Sequence, residues 1–216
     1  MAAAVVPRDA AEKLLRLRLD PFSDLTLECA MVSTASSPSA VSAACGPGPG
    51  ECALLRAETI ASLDVLRFAA ARAVYMTKAG RSRAKSLQSE LMTSVSPVSS
   101  FHEAVRRFGP RAGFEGPLLA ARIVSAEGAP RNPILPSSAS ADVWLAGLAA
   151  ACGGGGLVGG SEISDRLASL ASTAEGARAV AAAFKLGTAK SGGPAVAPSS
   201  PSELAEACIC VIGTTE

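Results

Sequence analysis

The chain has 216 residues, 49% of them hydrophobic but only 4% aromatic, with a formal net charge of +1 and a pI near 7.6. That length supports one good core and roughly one to two domains. A nearly neutral chain has no overall field to steer a polyanion, so any nucleic-acid contact has to come from a local patch.

Charges break every apolar run before the ~20 residues needed to span a bilayer, so no membrane segment is expected. The six cysteines (Cys29, Cys45, Cys52, Cys152, Cys208, Cys210) lack zinc or C-x-x-C spacing. Reduced intracellular thiols, with no metal and no cofactor, are the expectation.

Residues 1–12 read as a frayed tail. Leu15, Leu17 and Leu19 then alternate with Arg16, Arg18 and Asp20, the period of a half-buried strand, and after Asp20–Asp24 the alternation resumes through Leu25, Leu27, Cys29 and Met31. Two adjacent strands are the simplest reading, and a helix over 10–19 competes with the first. Residues 33–50 are Gly, Pro and Ser rich, a loop with a weak helix around 39–44. Cys52–Ala57 is strand-like.

A central helix is predicted over 59–79. Ile60, Leu63, Leu66, Ala70, Ala73 and Val74 form one face, and Val65, Phe68, Ala69 and Met76 another, so it should be buried on nearly all sides. Gly80 ends it in the position that wants left-handed backbone. The cationic connector Arg81-Ser-Arg83-Ala-Lys85 follows, then a helix over 86–94 that turns Leu87, Leu91 and Val95 inward and stops at Ser96-Pro97.

Ser100 and Glu103 have capping-box spacing. The helix they open should bury Phe101, Ala104, Val105 and Phe108, leave Arg106 and Arg107 in water, and end at Gly109-Pro110. A buried strand is expected over 117–125, and a helix or a strand over 143–152. Two further helices are expected over 162–170 and 174–185, the second opened by Ser172. The loops at 126–141, 153–160 and 187–199 read as flexible insertions. Ser200, Pro201 and Glu203 open a final helix whose stripe of Leu204, Ala207, Cys208 and Val211 is widened by Ile209 and Ile212.

No catalytic constellation emerges. The sole histidine, His102, sits in the first turn of a helix with no nucleophile-elbow pattern near it. The glycine run at 153–160 lacks the Lys-Ser/Thr of a phosphate-binding loop. Glu90 suits either a pocket or a solvated face. Lys78, Arg81, Arg83 and Lys85 suit phosphate contacts or plain solubility.

The segment SLDVLRFAAARAVYMTKAGRSRAKSLQSELMTSVSPVSSFHEAVRRFGP (62–110) resembles the TPRKB family, the kinase-binding subunits of the KEOPS/EKC complex. The resemblance rests on the helix-ending Gly80, the basic connector 81–85, Ser86-Leu-Gln-Ser-Glu90, Ser96-Pro97 and Glu103-Ala-Val-Arg-Arg-Phe-Gly109, in order and without a gap. Similarity is weaker around Leu17–Val32, Leu118–Val124, Ala179–Leu186 and Glu203–Thr214. Ser94 stands where relatives often carry Asn, and Leu91-Met92 where they carry paired Ile.

The resemblance implies one α+β domain over 1–216, with a multi-helix core flanked by a small antiparallel sheet. It implies a non-enzyme that binds a small atypical kinase of the PRPK type, and through it the other KEOPS subunits. It also implies help in recruiting tRNA by its 3′ CCA end for threonylcarbamoyladenosine formation, in cytoplasm and nucleus and with no small-molecule substrate. On that basis Lys78, Arg81, Arg83, Lys85, Ser89, Glu90, Arg106 and Arg107 are the expected tRNA contacts. Leu204, Cys208, Ile209, Val211 and Ile212 are the expected kinase contacts, together with exposed apolar residues of the central helix. A stand-alone RNA-binding or kinase-regulatory adaptor is the alternative.

Overall fold

The computed structural model describes residues 12–33, 38–98, 100–130, 132–135, 139–152, 156–186 and 200–214. The expected tail at 1–12, except its last residue, and the insertion at 187–199 lie outside them. So do parts of the three other expected insertions.

The alternation at 15–31 does make two strands, β1 (Leu15–Leu19) and β2 (Phe22–Val32), paired antiparallel around a tight turn. The competing helix is absent from 15–19, and β2 starts at Phe22, before the alternation resumes. With β3 (Ala53–Arg56) and β4 (Leu118–Ser125) they form an antiparallel sheet in the order β1-β2-β4-β3.

Alternation gives the sheet two apolar faces. Leu25, Leu27, Cys29, Met31, Leu119, Ala121 and Ile123 point into the larger core. That core is closed by α2 (Leu63–Lys78), α3 (Leu87–Val95), α4 (Phe101–Phe108), α6 (Ile163–Ser172), α7 (Ala174–Phe184) and α8 (Pro201–Gly213). Ala30, Val32, Leu54, Leu118 and Ala120 face a smaller core roofed by α1 (Pro38–Ala44) and α5 (Ala141–Ala151). The fold is α+β, with the sheet as the middle layer.

The expected loops are partly built in. The weak helix near 39–44 is present as α1 and seats Val41 in the smaller core. The 143–152 segment resolves as the helix α5. In the loop after β4, Asn132 Nδ2 donates to Asp24 Oδ2 at 2.5 Å and Leu135 is buried. In the glycine run, Val158 N–H donates to the Met31 carbonyl at 2.8 Å and Leu157 bridges Val32. The apolar pair Leu157-Val158, with the Gly156 carbonyl accepting from Ser33 N–H and Oγ at 3.2 and 3.0 Å, ties that segment to the sheet.

The smaller core holds a buried ion pair. Arg122 reaches Glu28 Oε2 at 2.8 and 3.0 Å from directly across the β2–β4 ladder, Arg16 adds a 3.1 Å bond to the other Glu28 oxygen, and the guanidinium lies 4.3 Å from the Trp144 ring centroid. Two charges taken out of water need this degree of mutual satisfaction.

Three local expectations are corrected. The central helix begins at Leu63, capped by the Ser62 hydroxyl, because Ala57–Thr59 form a short 3₁₀ turn and Ile60 is extended. Nor is it buried all round: Phe68 is 38% and Tyr75 58% exposed. The cap of α7 is Thr173, which accepts from Gly176 N–H at 2.9 Å, since Ser172 is the last residue of α6. The α6–α7 corner is tight. A Cβ on Gly176 would stand 1.9 Å from the Leu170 carbonyl oxygen. Beyond the corner α7 meets α4, with Phe184 edge-on to Phe108 at 5.0 Å between ring centroids.

Among the described residues no helix is long and apolar enough to cross a membrane.

Candidate functional site

The most sharply built surface feature is the corner between α2 and α3. The last turn of α2 closes through two bonds, Gly80 N–H to the Thr77 carbonyl at 3.1 Å and Arg81 N–H to the Met76 carbonyl at 2.8 Å. This pattern requires left-handed backbone at residue 80, whose φ is +66°, and glycine adopts it without steric cost.

The chain then runs outward as Arg81–Lys85, with Arg81, Arg83 and Lys85 exposed. Ser86 turns it into α3, its hydroxyl accepting from Ser89 N–H at 3.1 Å. One turn on, Glu90 points back under the connector. Its Oε2 accepts from Ser82 Oγ at 2.9 Å, Arg83 N–H at 2.7 Å and Ala84 N–H at 3.0 Å.

Glu90 is therefore not on a solvated face: it is 2% exposed, with its acceptor capacity turned toward the protein's own backbone. Behind it lies half-buried Arg72, whose pKa is lowered first by burial and then by Arg83, with Glu90 opposing.

The other expected cations sit elsewhere. Lys78 Nζ rests 4.7 Å over the Phe22 ring at the β1–β2 turn. Arg106 is exposed on α4 and is held bidentate by Glu103 at 2.7 Å. Arg107 is not in water. Its side chain is 10% exposed, bonded to Glu103 at 2.7 Å and to the Ala183 carbonyl at 3.2 Å, so it braces α4 against α7.

The capping box also fails in its side chains. Ser100 occupies the N-cap without a side-chain bond, and Glu103 turns forward to the arginines. Those bonds, Arg106 first and Arg107 second, hold the Glu103 carboxyl down at about 2.

A cleft of about 420 Å³ opens beside the corner, between the α1–β3 loop, α3 and α4. Met92, Phe101 and Val105 give it apolar walls, and Gln88 closes its base by two 2.8 Å bonds to the backbone of Ile123. At the α3 end stands the Glu51 carboxylate, which accepts from the hydroxyls of Ser86 and Ser89. Ser89 thus joins the cleft to the connector. Sequence reading missed the cleft, because Glu51 follows a Gly-Pro run and Phe101 and Val105 scan as core. In fact they are 38% and 37% exposed.

The third surface lies on α2 and α8. Ser200 caps α8 with a 3.2 Å bond from Glu203 N–H, as its sequence implies. Of its expected contact residues, Leu204, Cys208 and Ile212 are buried in the larger core, and burial pushes the Cys208 thiol up to about 12. An Ile212→Glu chain would therefore report on folding before any interface. Ile209 and Val211 are half-buried. Phe68 of α2 supplies exposed aromatic surface there, since a Cβ on Gly213 would lie 3.7 Å from its ring, and exposed Tyr75 stands about two turns further along α2.

His102 is exposed, with its ring edge-on to Phe101. Among the described residues no group of three His, Cys, Asp or Glu side chains could hold a metal ion.

Residues 43–141 match the family model described as kinase binding protein CGI-121. That span runs from the end of α1 to the start of α5 and carries the connector, the cleft and α2. Comparison with curated proteins gave no match. Over this span, a little under half of its length, the chain is similar to the kinase binding protein CGI-121 family, which is the TPRKB family.

Proposed function

We propose that the chain is a non-catalytic subunit of the KEOPS/EKC tRNA-modification complex in cytoplasm and nucleus. In this reading it binds and supports the complex's small atypical kinase and helps recruit tRNA by its 3′ CCA end. The kinase-binding part is supported by the family and by the exposed aromatics of α2 beside α8. The tRNA part is carried by one observation: Arg81, Arg83 and Lys85 project together from a connector bonded to Glu90, next to an apolar cleft.

Three exposed cations on one short loop can each neutralise a phosphate. Each neutralised phosphate releases counterions, so the affinity depends steeply on salt and little on sequence. An apolar cleft with an aromatic wall and a carboxylate acceptor suits an unpaired base, which offers a π-face and exocyclic donors. Arg107 drops out of the contact set and Glu90 changes role, while Ser89 remains at the junction of cleft and loop.

Affinity purification of the full chain tests both halves, since a small kinase and tRNA should co-elute. For the corner, the R81E/R83E/K85E chain should bind a CCA-ended tRNA transcript more weakly. Its log–log salt slope should be shallower by about 2, for three lost single-strand contacts. Unchanged affinity and slope would remove the corner from the tRNA surface.

A further inference from the structure

We infer that Glu90 is a positioning residue for phosphate recognition: it gives up its charge to the protein's own backbone so that the three connector cations are held in one arrangement. The inference rests on the proposed tRNA-recruiting role of the corner.

The geometry carries it. An exposed five-residue stretch would ordinarily sample many conformations, and each phosphate contact would then have to offset the entropy of ordering it. Here the stretch is folded around a single carboxylate oxygen. Two successive amides, Arg83 N–H and Ala84 N–H, and the Ser82 hydroxyl all converge on Glu90 Oε2 within 3.0 Å. Ser82 Oγ also lies 3.0 Å from the Ala84 carbonyl, which closes the turn on itself. Hydrogen bonds from neutral donors to an ionised acceptor are the strong kind, and this acceptor is 2% exposed, so water competes little.

The base of the arrangement is rigid. Glu90 lies in α3, where Leu87 and Leu91 on either side of it are buried in the larger core. Arg83, whose amide is one of the bound donors, also carries one of the three cations. The other two, Arg81 and Lys85, flank the bonded Ser82–Ala84 segment. Fixing that segment therefore fixes where all three leave the surface.

A carboxylate beneath a patch meant for an anion is electrostatically the wrong sign, and that makes the inference testable. If the charges acted only through their sum, neutralising Glu90 would add one positive charge and tighten tRNA binding by up to a few fold. If Glu90 acts by positioning, the same change loosens the loop and weakens binding.

The test uses the full chain and a CCA-ended tRNA transcript at several salt concentrations, comparing wild type, E90Q, S82A and R81E/R83E/K85E. Thermal unfolding and kinase capture serve as controls. Glutamine keeps the size of Glu90 and one acceptor oxygen, but it turns three charge-assisted bonds into neutral ones of about half the strength. The expected result is E90Q binding about fivefold more weakly than wild type, with kinase capture retained. S82A should shift the same way by a smaller factor.

Tighter or unchanged binding by E90Q, while the triple reversal weakens it, overturns the positioning role and leaves the corner's tRNA role standing. No effect of the triple reversal overturns both. If E90Q fails to fold, S82A decides, because Ser82 is exposed and outside the core: wild-type affinity and salt slope for S82A overturn the inference.

Discussion

Phe68 and Tyr75 provide the most direct test of the α2–α8 surface as the kinase-binding face. A fully covered aromatic side chain buries about 200 Å², so the 38% and 58% left exposed here correspond to about 75 and about 115 Å². At about 25 cal/mol per Å², covering them with a partner is worth at most about 2 and about 3 kcal/mol. Ordering costs at the interface take back part of that. Truncating either ring should then cost about 1–2 kcal/mol, a roughly 5- to 30-fold weaker Kd.

Calorimetric titration of the small atypical kinase with wild type, F68A, Y75A and the double variant measures this. Urea unfolding alongside separates binding from folding. The control is Ile212→Ala on the neighbouring helix. Ile212 is fully buried, so its truncation should cost about 2–5 kcal/mol of stability through the cavity it leaves. A double aromatic variant that unfolds like wild type and binds the kinase within twofold of it would refute the assignment.

Two further predictions concern the scaffold. Arg122→Met should lose about 3 kcal/mol or more, because it strands the buried Glu28 carboxylate with only half-exposed Arg16 as partner, whereas the E28L/R122M pair should recover most of it; equal destabilisation of single and double chains in urea would assign the effect to packing on Trp144 instead. The Glu103 carboxyl, held at about 2 in the folded chain against about 4.3 when unfolded, should contribute stability that is complete above the unfolded value and vanishes as the pH falls toward 2. The stability difference between wild type and E103Q should therefore shrink between pH 5 and 2.5, and high salt should weaken the share that comes from exposed Arg106 more than the share from Arg107; a difference flat across that pH range would contradict the ion-pair geometry.

How much of this was legible beforehand depended on whether the deciding interaction was local. Gly80 and Ser200 act within one helical turn, and their caps follow from residue type and spacing, whereas Ser86, expected as the first residue of its helix, is the cap of α3. The β1–β2 alternation is equally local. The capping box at 100–103 has the right spacing, yet Arg106 and Arg107, three and four residues on, compete for the same carboxylate and win it as ion pairs.

Long-range partners were not legible. Nothing in Leu-Glu-Cys or Ala-Arg-Ile announces that Glu28 and Arg122 meet across a ladder beneath a tryptophan, since either charge could have faced water. Whether Glu90 faced a pocket or solvent stayed open in the sequence because two of its three partners are backbone amides, which every sequence contains. The cleft is invisible for a related reason. Phe101 and Val105 have core spacing, and only the path of the α1–β3 loop leaves them open.

The tight α6–α7 corner bears on how the family surface is maintained from outside itself. The helices cross where only a hydrogen atom fits on residue 176. Any larger side chain there would lever α7 away from Leu170, carrying Phe184 and the Ala183 carbonyl with it. Those two groups grip Phe108 and Arg107, so the displacement would reach α4 and one wall of the cleft. Gly176 lies beyond the matched span 43–141. A position that touches no proposed partner thus limits how freely the chain can drift in sequence while keeping its recognition surface in shape.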